Sequence, residues 1–297
     1  MSRSPTETAG SMQTLPPAIF QQRFAACLAS LNAGDLRAAS AACEALLAIT
    51  PQDAAVLQLH ATIALRRGDA ATALRSIEQS LTRRPGHGPA LLIAARAAAM
   101  LGDPSMEAWV AAALGHAGHA GEFQSLALAL QRAHKPGLAL AAFGQATQVD
   151  PSLAPAWFGQ GLLLREAGRM EPAREALHRA VALGPTAAAW FALGLTQQDL
   201  GDEAEAVVAY AAALALRADF AEAAVNLGIA QQRTGDMEAA MVSYRRAVAI
   251  RPNSLGRIAQ AMTTASTGML WLSSGALRQA LGLGASGAVA PAVDARA

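Results

Sequence analysis

A glycine followed by an aspartate recurs along this chain, at Gly34-Asp35, Gly68-Asp69, Gly102-Asp103, Gly201-Asp202 and Gly235-Asp236, with Gly168-Arg169 as a variant. The first two intervals and the last are each 34 residues. Glycine leaves a helix through a left-handed conformation and aspartate caps the next helix, so each pair reads as a turn between two short helices. A helix-ending proline falls 17 positions after the glycine at Pro51, Pro85, Pro185 and Pro252, and Pro151 serves a copy whose glycine is missing. Two independent markers thus share one period. A hairpin of this size cannot bury its apolar face alone, so the copies must stack.

Composition removes several classes of function. The 297 residues are 53% hydrophobic but only 4% aromatic, and the abundance of alanine suits closely packed helices. No apolar run approaches the roughly 20 residues that cross a bilayer, and "MSRSPTETAGSMQTLPP" lacks the apolar core of a secretory signal. A cytoplasmic protein without membrane insertion is expected. With 23 basic and 22 acidic residues and a net charge of +1, no general field attracts nucleic acid. Cys27 and Cys43 fall on paired helices of one hairpin and are expected to be buried free thiols.

The best copy, Ala221 to Ser254, carries Leu227-Gly228, Ala240, Tyr244, Ala247 and Pro252. Ala187 to Phe220 carries Trp190, Leu193, Gly194, Ala206, Tyr210 and Ala213, with Ala218 in place of the proline. Trp157, Gly161, Ala173, Ala180 and Pro185 mark the copy before, and Phe123, Phe143, Ala146 and Pro151 a looser one. On these residues the chain resembles the tetratricopeptide repeat (TPR) family, in this case a bacterial-type stand-alone array. The resemblance implies an all-α, right-handed superhelical solenoid of about seven helical hairpins, and copies at 20–53, 54–87 and 88–119 keep the period while losing the aromatics.

The expected organisation is a disordered tail at 1–18, three degenerate repeats at 19–119, four better-matched repeats at 120–253, capping helices at 254–284 and a disordered tail at 285–297. Small residues such as Gly194, Gly228, Ala206 and Ala240 let helices approach, while Trp190, Tyr210 and Tyr244 fill wider gaps. A buried Trp190 would make its loss to alanine cost about 3–5 kcal/mol. Asp202 with Glu205 reads as a capping-box-like helix start. The stretch Leu114 to Phe123, with three glycines, is either a joint in the array or a tightened helix end.

Chemistry finds little foothold. His116 and His119 stand three apart, but no cysteine or carboxylate nearby completes a metal shell. His60, His87, His134 and His178 are scattered, and Glu203 and Glu205 diverge on a helix. Neither a nucleophile elbow nor a phosphate-cradling loop occurs. No catalytic residue, metal or cofactor is assigned, and the chain is read as a non-enzyme.

Function then rests on surface. The TPR resemblance implies a concave groove lined by each first helix, here by Phe158, Leu162 and Arg165, by Phe191, Leu195 and Gln198, and by Asn226, Ile229 and Arg233. Phe191, Leu195, Val225 and Ile229 stand where the chaperone-binding subgroup carries its carboxylate clamp. Asn226 alone matches the asparagine ladder of repeats attached to O-linked N-acetylglucosamine transferases. A largely apolar groove with polar edges suits a partner helix or peptide, so a scaffold or adaptor is expected. A self-assembling platform, or an accessory to a separate glycosyltransferase, methyltransferase or sulfotransferase, is the alternative. After Pro252 the sequence leaves the repeat pattern, and Leu270, Trp271 and Leu272 belong either to a cap on the stack or to a plug in the groove.

Overall fold

The computed structural model describes residues 16–264 and 274–283. The described residues are all-α, with sixteen helices, one tighter turn at Pro252–Ser254 and no strand among them. The chain divides into two compact units, Met1–Pro151 and Ser152–Ala297. In the first unit α1 (Pro17–Asn32) pairs with α2 (Leu36–Ile49), α3 (Ala54–Arg66) with α4 (Ala70–Arg83), α5 (Gly88–Leu101) with α6 (Met106–Leu114), and α7 (Ala120–Arg132) with α8 (Pro136–Val149). In the second, α9 (Ala154–Glu166) pairs with α10 (Met170–Leu183), α11 (Ala187–Leu200) with α12 (Glu203–Leu216), and α13 (Ala221–Arg233) with α14 (Met237–Ile250). Two further helices follow, α15 (Leu255–Thr264) and α16 (Ser274–Ala280).

The turn signals work as their chemistry requires. Gly34, Gly68, Gly102, Gly168, Gly201 and Gly235 all have positive φ. Asp35, Asp69 and Asp236 each accept a hydrogen bond from a backbone N–H three residues on. In the copy without a turn glycine, His134 takes the left-handed conformation itself, with φ of 56°. Asp202 departs from the expected cap, because Arg174 Nη1 donates to its Oδ2 at 2.9 Å and its side chain makes no cap hydrogen bond. A charged donor from the preceding hairpin outbids a neutral amide.

The three hairpins of the second unit close at one pair of positions, seven residues before the turn residue and nine after it. A Cβ added to Gly228 would lie 2.4 Å from Tyr244 Cε1, one on Gly194 2.7 Å from Tyr210 Cε1, and one on Gly161 2.6 Å from Leu177 Cγ. The two tyrosines are fully buried, and each ring is anchored across the hairpin, Tyr210 Oη donating to Gln198 Oε1 at 2.9 Å and Tyr244 Oη to Gln232 Oε1 at 2.8 Å. By the same count the pair is Ala127 and Phe143, Ala61 and Ile77, and in the first hairpin Cys27 and Cys43. Both cysteines are free and buried.

Trp190 differs from its expected role. It is partly exposed and packs against two clusters, one around Leu177 and Leu193 and the other around Tyr210 and Tyr244. Its truncation therefore empties no closed cavity and costs less than the loss of an enclosed ring. The glycine-rich stretch after α6 is tightly packed, since a Cβ on Gly88 would meet Ala117 O at 2.3 Å and one on Gly118 would meet Leu92 Cδ1 at 2.6 Å.

The repeat pattern does not stop at Pro252. Helix α15 begins 34 residues after α13 begins, and Ile258, Met262, Leu277 and Leu281 join the core of the last hairpins. Gln232 Nε2 donates to Ala261 O at 3.4 Å and Arg245 Nε to Ala280 O at 3.0 Å. Leu270, Trp271 and Leu272 lie outside the described residues, as do residues 1–15 and 284–297; Pro17 and Ala18, expected in the disordered tail at 1–18, open α1 instead.

The left-handed His134 sets a test. His134→Gly is expected to raise the unfolding free energy by about 0.5–1 kcal/mol in urea titration, because relief of the strained φ outweighs glycine's extra unfolded-state freedom. His134→Ala keeps the strain and should bring no comparable gain.

Candidate protein-interaction surface

The residues expected to line a groove all fall in the second unit, on the first helices α9, α11 and α13. An interval near 34 residues returns each of these positions to the same place on successive hairpins, so one face collects Phe158 and Leu162, then Phe191 and Leu195, then Ile229. All five are partly exposed. Phe158 and Leu162 pack on the cluster of Leu177, Val181 and Leu193, whereas Leu195 and Ile229 pack on that of Tyr210 and Tyr244. Phe191 lies 4.7 Å from the ring of Phe220 and 5.7 Å from that of Tyr210, centroid to centroid. These side chains thus serve the fold on one side and present apolar surface on the other.

The polar members are held by their own chain. Arg165 Nε meets Asp199 Oδ2 at 3.0 Å, and Arg233 Nη1 meets Glu203 Oε1 at 2.6 Å. Gln198 accepts from Tyr210. Asn226 is only 5% exposed, and its Oδ1 accepts from Arg257 Nη2 of α15 at 2.9 Å. Burial, reinforced by the carboxylates of Asp199 and Glu203, drives the Tyr210 phenol well above its ordinary value, so it stays a neutral donor.

Sequence reasoning passed over Arg257, Asp199 and Glu203 as parts of this face. The first follows once α15 is placed in register with α13, but the two carboxylates carry no motif of their own. Buried Gln197 has no partner for Oε1. Its counterpart Gln231 accepts from Ser243 Oγ at 2.7 Å, and Ala209 stands where that serine would be.

His116 and His119 act locally. His116 Nδ1 donates to Ala112 O at 2.8 Å, and the His119 backbone N–H donates to Glu122 Oε2 at 3.2 Å. Among the described residues no group of three or more His, Cys, Asp or Glu side chains could hold a metal ion, and no helix is long and apolar enough to cross a membrane.

With this geometry in place, the sequence model for the tetratricopeptide repeat matches residues 59–120, 125–188 and 191–254. The chain belongs to the tetratricopeptide repeat family. TPR membership supports a protein-interaction scaffold, and members of the family are generally non-catalytic. No curated protein matches the sequence. Among solved structures, a crystal structure of MamA protein aligns with 19% identity and a TM-score of 0.45 over 68% of this chain and 94% of that one. MamA from Desulfovibrio magneticus RS-1 aligns with 20% identity and a TM-score of 0.43 over 67% and 96%. The Cut9-Hcn1 hetero-tetramer of the APC/C aligns with 18% identity and a TM-score of 0.45 over 74% of this TPR chain and 45% of that one.

One titration is readable in the first unit of this TPR protein. His60 Nδ1 shares a hydrogen bond with Ser76 Oγ at 2.9 Å, and burial holds the imidazole below its ordinary value despite the opposing pull of Glu44 and Asp69. The unfolded chain therefore takes up the proton first, and stability present above about pH 6.5 is lost as pH falls toward the lower folded value. Replacing the ring in His60→Gln should flatten the decline in thermal midpoint between about pH 7.5 and pH 5.5; parallel wild-type and variant curves would contradict this.

Proposed function

We propose that this protein is a non-catalytic adaptor whose α9, α11 and α13 face docks a helix or peptide of a partner protein. The observation that carries the reading is the repetition of partly exposed Phe158, Leu162, Leu195 and Ile229 on three successive first helices, flanked by the ion pairs of Arg165 and Arg233. Apolar anchors at regular spacing between charged edges match the needs of an amphipathic helix, whose own anchors recur every three to four residues. Pre-packed side chains lose little freedom on binding, which favours affinity. Asn226 contributes indirectly, by fixing Arg257 beside the face. A cytoplasmic setting goes with this reading.

A second reading, self-association through the second helices, is favoured by Val208 and Val242. Each is 59% exposed, and they occupy equivalent positions on α12 and α14.

The two faces can be separated by quantitative affinity capture followed by titration of the purified partner. Leu162→Gln/Ile229→Gln, checked for unchanged helicity, is expected to weaken partner binding by about tenfold or more, while Val242→Gln leaves it intact. Unchanged binding by the groove variant, together with loss or a change of mass in Val242→Gln, would contradict the docking face and favour self-association.

A further inference from the structure

The chain contains two cysteines, and the fold brings them together. Cys27 on α1 and Cys43 on α2 occupy the closing pair of the first hairpin, the positions held by Gly228 and Tyr244 in the last. Both are 0% exposed. Cys27 Sγ donates to Ala39 O at 3.3 Å and Cys43 Sγ to Val56 O at 3.7 Å.

Ala39 O is the α2 carbonyl one helical turn before Cys43, the one that the Cys43 N–H faces in an α-helix, so the Cys27 thiol sits against the backbone of the other cysteine, and both belong to one buried cluster. The geometry points to Cys27 and Cys43 as a modification site that a low-molecular-weight disulfide oxidises to an intramolecular bond, stapling α1 to α2.

The chemistry balances by two exchanges. A thiolate of one cysteine attacks a sulfur of the small disulfide, forming a mixed disulfide and releasing one small thiolate. The second cysteine, losing its proton, attacks the protein sulfur of that mixed disulfide and releases the other. Two protein thiols are oxidised by two electrons, and one small disulfide is reduced to two thiols.

The closed hairpin resists the first step. Burial, and then the neighbouring Cys27 thiol, push the Cys43 thiol up to about 12, and a protonated, enclosed thiol is a poor nucleophile. Helix α1 is the element that opens to admit the reagent. It has no side-chain cap at its N-terminus and leaves Ile19 41% and Leu28 36% exposed, as expected of a segment that frays at little cost. The bond would enclose the 15 residues between the cysteines, enough to restrict the unfolded hairpin appreciably.

The full-length reduced protein should be incubated with oxidised glutathione, with and without mild urea, then followed by intact mass, peptide mapping and thermal denaturation. The expected product is a monomer lighter by two hydrogens, linked from Cys27 to Cys43. It should form faster in mild urea and melt roughly 5 °C higher until dithiothreitol reverses it. Cys27→Ala, an alanine as at Ala61 and Ala127, should fold, form no internal bond and show no oxidant-dependent rise. Glutathione adducts retained on both cysteines, an intermolecular link, an internal bond that lowers the midpoint, or no reaction even in urea would each overturn the proposal.

Discussion

The structure depends on how closely the two helices of each hairpin approach. Where Gly161, Gly194 and Gly228 face Leu177, Tyr210 and Tyr244, the space a methyl group would need is already filled by the facing side chain. Dense contact of this kind gives dispersion and burial without large side chains on both helices, which is how a chain with 4% aromatics builds a core. The tyrosine hydroxyls add a constraint, because bonding to Gln198 and Gln232 leaves the rings little room to yield.

The same interaction explains which parts of the fold were legible. Glycine, tyrosine and proline at fixed offsets are forced by geometry, so the period, the seven hairpins and their partners could be read from residue types alone. Features that rest on exceptions could not. His134 accepts a conformation usually given to glycine, and nothing in its neighbourhood announces that. Helix α15 keeps the 34-residue spacing but lacks the marker residues, so its register emerges only when Ile258 and Met262 are seen in the core. Asp202 has the sequence of a cap, yet a distant arginine decides its fate.

The exposure of the proposed face was legible and the partners of its side chains less so. Periodicity places Phe158, Leu162, Leu195 and Ile229 on one side of the second unit, because equivalent positions recur on every first helix. It says nothing of what the opposite side of each residue touches. Phe191 is engaged by Phe220 and Tyr210, Asn226 by Arg257 and Arg233 by Glu203. Long-range partners of this kind depend on rotamers and on neighbouring hairpins, which a single-sequence pattern does not encode. The anchors are consequently shared between fold and surface, and substitutions there must be separated from stability effects.

The most direct measurement of the central claim is the unfolding free energy of Gly228→Ala beside that of Gly137→Ala. Alanine favours a helix over glycine by up to about 1 kcal/mol, and a Cβ on Gly137 would meet nothing within 4 Å, so that change should be neutral or stabilising. At Gly228 the new methyl must displace the anchored Tyr244 ring, and a loss of about 1–3 kcal/mol is expected instead. Opposite signs would support close approach as the constraint on which each hairpin depends. A Gly228→Ala protein as stable as Gly137→Ala would contradict it.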